Sequence, residues 1–257
     1  MKTLLASLLL LLALSSTTRA QRTIDAKEIL AKINRKEVIS YENATISGDL
    51  DLTELANKKR VTDSRWVENE AYESTVEIPV TFRNCTFKGN FIAYKNIDKE
   101  GRRWGGNGVT YAAHFTEAVT FERCTFEKGS EFKYSEFKQR ALFIGTSFRE
   151  EANFKYAKFR AVADFSDARF GELGNFKYTS FKEEIAFRQA RFNQYADFKY
   201  TKFDEGANFN STRFDGTADF KYTHLPRNSS FENTVFDGPT DFKYATLDGR
   251  KFSPNRR

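Results

Sequence analysis

A lysine and a tyrosine recur side by side at Lys133-Tyr134, Lys155-Tyr156, Lys177-Tyr178, Lys199-Tyr200, Lys221-Tyr222 and Lys243-Tyr244, each pair following the last at one unvarying interval and each preceded by Phe. Lysine supplies a mobile positive charge and tyrosine a flat ring with a hydroxyl. A column of such pairs could hold a polyanion, for example an acidic polysaccharide, through charge and ring contact. The same column could instead be a structural ladder, with Tyr stacked on Tyr and Lys paired to its neighbours. Beside it runs a second column, Glu131, Asn153, Asn175, Asp197, Asp219 and Asp241, which offers those partners. Two lysines about 5 Å apart in water repel by under about 1 kcal/mol, so either arrangement is tolerable. A shorter column, Arg169, Arg191 and Arg213, reads as a solvated corner.

Other chemistry is sparse. Both tryptophans stand among basic residues: Trp66 after Arg65, and Trp104 after Arg102-Arg103. Arg with Trp is a pairing enriched at binding hot spots, although either ring could fold back to cover apolar surface. The following GGNG lacks the Lys-Ser/Thr of a phosphate loop. His114 and His224 have no Cys, His or paired carboxylate at ligand spacing, so no metal or cofactor is expected. Asp164, Asp197 and Asp219 occur as single repeat positions and not as a pocketed pair, which argues against an enzyme.

What positions these residues is a phenylalanine repeat. From Phe121 to Leu247 a large apolar residue recurs at alternating steps of five and six, and nearly all are Phe. A helix turning about 100° per residue would throw successive Phe to opposite sides, so no buried stripe would form. Short strands fit better: in Ala152-Asn153-Phe154 the first and third residues share a face, and the two residues after them turn a corner. Sides of 5, 6, 5 and 6 residues close a four-sided coil, and stacked coils bury an apolar axis that no single coil could bury. The Lys-Tyr pair keeps its fixed interval because the chain returns to the same corner one rung higher.

These units, ANFKY, ADFKY, AKFR, ARFG and ADFSD, resemble the pentapeptide-repeat family over residues 110–252. The resemblance implies an all-β fold, a right-handed quadrilateral parallel β-helix. The N-terminal half follows more loosely, through Tyr41–Ile46 and through Val80–Phe87 against Val119–Phe126. The expected organisation is a signal peptide at 1–20, a capping helix within 21–37, and the solenoid at 38–252. Two insertions interrupt it at about 53–75 and 95–109, and a basic tail at 253–257 leaves the last coil poorly covered. Asp25 and Glu28 look like a capping box with Ile24 and Ile29 as its hydrophobic staple. Cys85 and Cys124 are separated by one coil plus the second insertion, so they stack on adjacent rungs. The reading is a disulfide between them, with buried free thiols as the alternative; parallel side chains would need a local shift to bond.

The first twenty residues carry Lys2, an apolar run too short to span a bilayer, and Thr18-x-Ala20 as a cleavage site. The protein is therefore expected to be exported: periplasmic, extracellular or at the cell surface. Without that segment 39 Lys and Arg face 35 Asp and Glu, a balance of +4 that does not suggest a nucleic-acid binder. Some members of the resembled family act as DNA mimics on gyrase, an activity that a net basic chain with an export signal does not inherit. The expected function is a non-enzymatic structural or interaction solenoid that presents its ladders and loops to a protein partner. The alternative is a polyanion-binding module built on the Lys-Tyr ladder, and end-to-end or side-by-side self-association is open to either.

Overall fold

The computed structural model describes residues 22–61, 70–97 and 108–254. The proposed signal segment, Trp66, Arg102, Arg103 and Trp104 lie outside these residues. The described chain is a four-sided solenoid of short parallel strands with one α-helix near its start. One turn shows the plan. Ser130–Glu131 forms the first side, Glu136–Phe137 the second, Ala141–Leu142 the third and Ser147–Phe148 the fourth. Each pairs in parallel with the same side of the next turn: Ser130 with Ala152, Glu136 with Lys158, Ala141 with Ala163, Ser147 with Arg169.

The alternation of the sequence places one small residue and one Phe of each side inside. Phe132, Phe154, Phe176, Phe198, Phe220 and Phe242 form one column, with ring centroids 4.7–5.2 Å apart. Rings of neighbouring columns meet edge-on, as Phe132 meets Phe143 at 79°. Both geometries are favoured by the ring quadrupole, at about 0.5–1.5 kcal/mol per pair beyond burial. Where the small residue is Thr, its hydroxyl is not wasted: Thr179, Thr201 and Thr223 each donate to the carbonyl of a Phe one rung earlier, at 2.7 Å.

The four corners are of two kinds, which explains the alternating five and six. Two are loose, with three residues between Phe and the next inward residue, as at 138–140. Two are tight, with two residues, and the second is left-handed. At one tight corner the left-handed residue is Tyr134, Tyr156, Tyr178, Tyr200, Tyr222 or Tyr244, at φ 57–63°. At the opposite one it is Asn43, Asn84, Arg123, Gly145, Asp167, Gln189, Ser211 or Asn233. The same turn closes both: Ser135 N donates to Phe132 O at 3.0 Å, and Thr146 N to Phe143 O at 3.2 Å.

Four features depart from the sequence-based expectation. First, the chain enters as a strand. Arg22–Asp25 pairs in parallel with Ala44–Ser47, placing Ile24 in the core, before helix Ala26–Asn34 begins. Asp25 caps that helix by accepting from Lys27 N at 2.8 Å, and Ile29 and Ile33 face the first coil. Second, the insertions are partly strands. Ala71–Val76 and Val109–Phe115 pair over six residues, flanked by the antiparallel strands Lys59–Arg60 and Tyr94–Ile97. Third, the last coil is covered. Asp248 and Gly249, both at positive φ, make a two-residue hairpin turn, which brings Phe252 to 5.1 Å from Phe231 and 5.7 Å from Phe242.

The fourth concerns the cysteines. Cys85 and Cys124 do lie on adjacent rungs, but as buried free thiols and not as the disulfide the spacing suggested. They fill the small inward position that Thr146 fills one rung on. Cys85 Sγ donates to the Arg83 carbonyl at 3.2 Å and Cys124 Sγ to that of Phe82 at 3.4 Å. Hydrogen bonding to Cys85, together with burial, holds the Cys124 thiol well above its ordinary range.

Candidate functional site

The Lys-Tyr corner is one continuous edge. Its six rings stack at 4.6–4.9 Å with interplanar angles of 2–23°. Neighbouring rings therefore cover one another's faces. The rings stack Tyr on Tyr, as the structural-ladder reading expects, so the edge presents hydroxyls and ring rims and not the open flat faces of the binding reading. Tyr134, Tyr178, Tyr200, Tyr222 and Tyr244 remain 36–56% exposed, so those rims are open.

The lysines divide the edge into two parts. Lys199 bridges Asp197 and Asp219 at 3.2 Å each and donates to the Tyr195 hydroxyl at 3.2 Å. Burial pushes its ammonium down, but Tyr195 and the two carboxylates outweigh this and hold it well above the usual lysine range. Lys221 likewise sits 3.3 Å from Asp219 and 3.1 Å from Asp241. On the earlier rungs the neighbouring column is Asn153 and Asn175, which cannot neutralise charge. Among the described residues no carboxylate lies within ion-pair distance of Lys133, Lys155 or Lys177. Lys155 and Lys177 lie 5.3 and 5.1 Å from the ring centroids of Tyr156 and Tyr178. Burial and the charges of Lys133 and Lys177 depress the Lys155 ammonium. Positive charge thus accumulates at the N-terminal part of the edge. Glu131, the one carboxylate in the adjoining column there, is pushed up to about 7 by burial and by the nearby charge of Glu151.

That part ends against a wall. His114–Phe115 is the second side of its own coil, in line with Glu136–Phe137 above, but its strand starts at Val109. The five preceding residues overshoot the corner by about 16 Å. Together with Ala71–Val76 and Tyr94–Ile97 they form a projecting sheet. Lys133 reaches down to it, 4.5 Å from the Tyr94 ring centroid and 3.4 Å from its hydroxyl. Wall, ladder foot and second side enclose a cleft of about 730 Å³.

The other candidates are less open. Arg191 and Arg213 both pair with Asp215, at 2.5 and 2.6 Å, and Arg213 also with Asp237, so this column is a cross-linked corner. Partial burial pushes Asp215 up, yet hydrogen bonds from the two guanidinium groups hold it below the usual carboxylate range. His224 Nδ1 lies 2.8 Å from the Thr246 hydroxyl. No group of three or more His, Cys, Asp or Glu that could hold a metal occurs among the described residues. Nor is any described helix long and apolar enough to cross a membrane. Sequence reasoning missed the wall. Its only sequence signal is the alternation Ser74-x-Val76 and Ala113-x-Phe115 running outward from the coil.

Four stacked parallel sheets around a phenylalanine core define a quadrilateral solenoid. The family described as pentapeptide repeats (9 copies) matches residues 111–158, 154–202 and 198–246, over half the chain, and the protein belongs to that family. The family is in general structural, without enzymatic activity of its own. Neither the curated proteins nor the solved structures contain a match to this chain.

Proposed function

We propose that this chain is an exported, non-enzymatic solenoid that presents its Lys-Tyr edge to a partner. One observation carries the reading: tyrosine sits at all six left-handed positions of one corner, while the opposite corner closes with Asn, Arg, Gly, Asp, Gln or Ser and repeats no residue type throughout. A β-carbon in that conformation costs about 1–2 kcal/mol. The coil does not need tyrosine there to turn, so the column serves the surface. Purified protein passed over protein and glycan arrays tests this. Replacing Lys155, Tyr156, Lys177 and Tyr178 by Ser should abolish retention while the far-ultraviolet spectrum stays unchanged. Retention that survives would return the ladder to a purely structural role.

A second reading, polyanion binding, is favoured by the lysines that lack carboxylate partners. It makes the N-terminal part of the edge the contact surface and leaves Lys199 and Lys221, already neutralised, outside it. Retention on an acidic polysaccharide should then fade with salt, because exposed charges are screened within about 10 Å at 0.1 M.

A further inference from the structure

The cleft at the foot of the ladder differs from the ladder itself. One of its surfaces is the front of the wall, where strand alternation turns Tyr94, Asn96, Thr110 and His114 the same way. A second is the outer face of the second side, which carries Glu136, Lys138 and Lys158. The third is the corner itself, with Lys133, Tyr134 and Tyr156. Its volume of about 730 Å³ falls within the range of small-ligand sites.

The charges are unbalanced. Glu136 is taken by Arg160 at 2.6 Å. Glu73 faces His114 Nε2 at 3.4 Å. The Glu136 backbone N–H donates to His114 Nδ1 at 3.1 Å, so the ring proton sits on Nε2 and points at Glu73. Both cleft carboxylates thus have partners. Lys59, Lys133, Lys138 and Lys158 also line the cleft, and among the described residues none has a carboxylate within ion-pair distance.

The lining also limits what kind of anion fits. A nucleobase needs an open aromatic face, but Tyr134 and Tyr156 stack on each other at 4.9 Å, and Tyr94 tilts against Tyr134 at 5.5 Å. An extended peptide would seek a free strand edge, but Val109–Phe115 is paired on both sides and the wall offers only the outer edge of the four-residue strand Tyr94–Ile97. What remains are hydroxyls, an amide and ring rims beside lysines, groups suited to a ligand rich in hydroxyls and bearing carboxylates.

We propose that this cleft binds a short uronate-bearing glycan segment, with its carboxylates at Lys138 and Lys158 and its hydroxyls on the wall. The proposal deepens the polyanion reading of the ladder and rests on it for the class of ligand. An acidic chain would enter here and continue along the ladder.

The test is calorimetric titration with an oligogalacturonate tetramer, its neutral galactose counterpart and inorganic phosphate. The tetramer should bind, and the neutral sugar and phosphate should not. Lys138→Ser with Lys158→Ser should weaken the tetramer about tenfold, as expected from losing two exposed ion contacts. Thr110→Trp, which fills the cleft and leaves every charge in place, should give a similar loss, with melting curves confirming that each variant is folded. Phosphate binding as well as the tetramer would overturn the proposal, since any anion would then do. Tetramer binding that is lost with Lys177→Ser/Tyr178→Ser but kept in the cleft variants would overturn the cleft and leave the ladder reading standing. Absence of tetramer binding together with absence of retention on long polyuronate would overturn both.

Discussion

Each coil makes the same tight turn twice, and the two corners could hardly be filled more differently. Both follow a buried Phe, both close with the same backbone hydrogen bond, and both put their second residue at a φ near 60°. One uses Asn43, Asn84, Arg123, Gly145, Asp167, Gln189, Ser211 and Asn233, several of them residue types that tolerate this conformation. The other uses tyrosine every time. Backbone geometry alone therefore does not choose the residue. At the tyrosine corner the choice follows from what lies one rung above and below: a ring 4.6–4.9 Å away, whose stacking outweighs what the backbone loses. The result is a surface of regular spacing, neutralised on its later rungs and positive on its earlier ones.

If the corners differ only outside the core, their phenylalanines should be interchangeable in energy. Phe176→Ala beneath the Tyr corner and Phe187→Ala beneath the varied corner should each destabilise by about 3–5 kcal/mol. Both rings are fully buried and stacked within their columns. Denaturant titration decides it. A markedly larger loss at Phe176 would mean that the ladder and the core are coupled, and the comparison would break.

The ladder's own division makes the next test. Asp219 is 4% exposed, touches Lys199 and Lys221, and accepts from the Tyr195 hydroxyl at 3.2 Å and from Lys221 N at 3.1 Å. Asp219→Ala should cost about 2 kcal/mol, in line with hydrogen bonds to charged groups. Asn175→Ala, two rungs earlier, loses only a 3.3 Å bond from Lys177 N and a 3.5 Å contact to Glu151, and should cost about half as much. Equal losses would erase the distinction between the two parts of the edge.

Much of this was legible because a solenoid writes its fold in one dimension. Phe132, Phe154 and Phe176 recur at one constant interval in sequence and lie one rung apart in space, so period, number of sides and parallel register could be read directly. What could not be read lacks a period. The strand Arg22–Asp25 is a strand only because Ala44–Ser47 lies beside it, and the wall exists only because two insertions pair with each other. The left-handed conformation of the tight corners has no common residue type, since Gly145 and Asn233 tolerate it but six tyrosines and Arg123 adopt it as well. Asp248-Gly249 carries the residue types of a two-residue hairpin turn, and its short return strand covers the last coil.

The earliest rung offers a pH test. Glu131 occupies the place that Asp197 and Asp219 hold later, but Lys133 turns instead to Tyr94, and burial with Glu151 raises the carboxyl to about 7. A carboxyl raised in the folded state binds its proton more tightly than in the unfolded chain. Its stabilising effect is complete below the ordinary value of 4.5 and is lost as pH rises through about 7. Between pH 5 and pH 8 the protein should lose about 1–2 kcal/mol, after allowance for solvent screening. Glu131→Gln should flatten this part of the profile. A profile that stays as steep in the variant would place the titrating group elsewhere.

The smallest effect carries the most information about the corners, because it is a difference in sign. Gln189→Asn puts a residue that tolerates the left-handed region into a corner without ring stacking, and should stabilise by about 0.5 kcal/mol. Tyr178→Asn grants the same backbone relief but removes two stacks, to Tyr156 at 4.8 Å and to Tyr200 at 4.9 Å. At about 0.5–1.5 kcal/mol each, these outweigh the relief, and the net change should be a loss of about 1 kcal/mol. Melting of the two single variants and of the double variant shows whether the effects add, as they should for sites on opposite corners. Were Tyr178→Asn to stabilise as Gln189→Asn does, stacking would not offset the strain. The tyrosines would then be held there by their surface role alone, and the case for a ligand along this edge would be stronger.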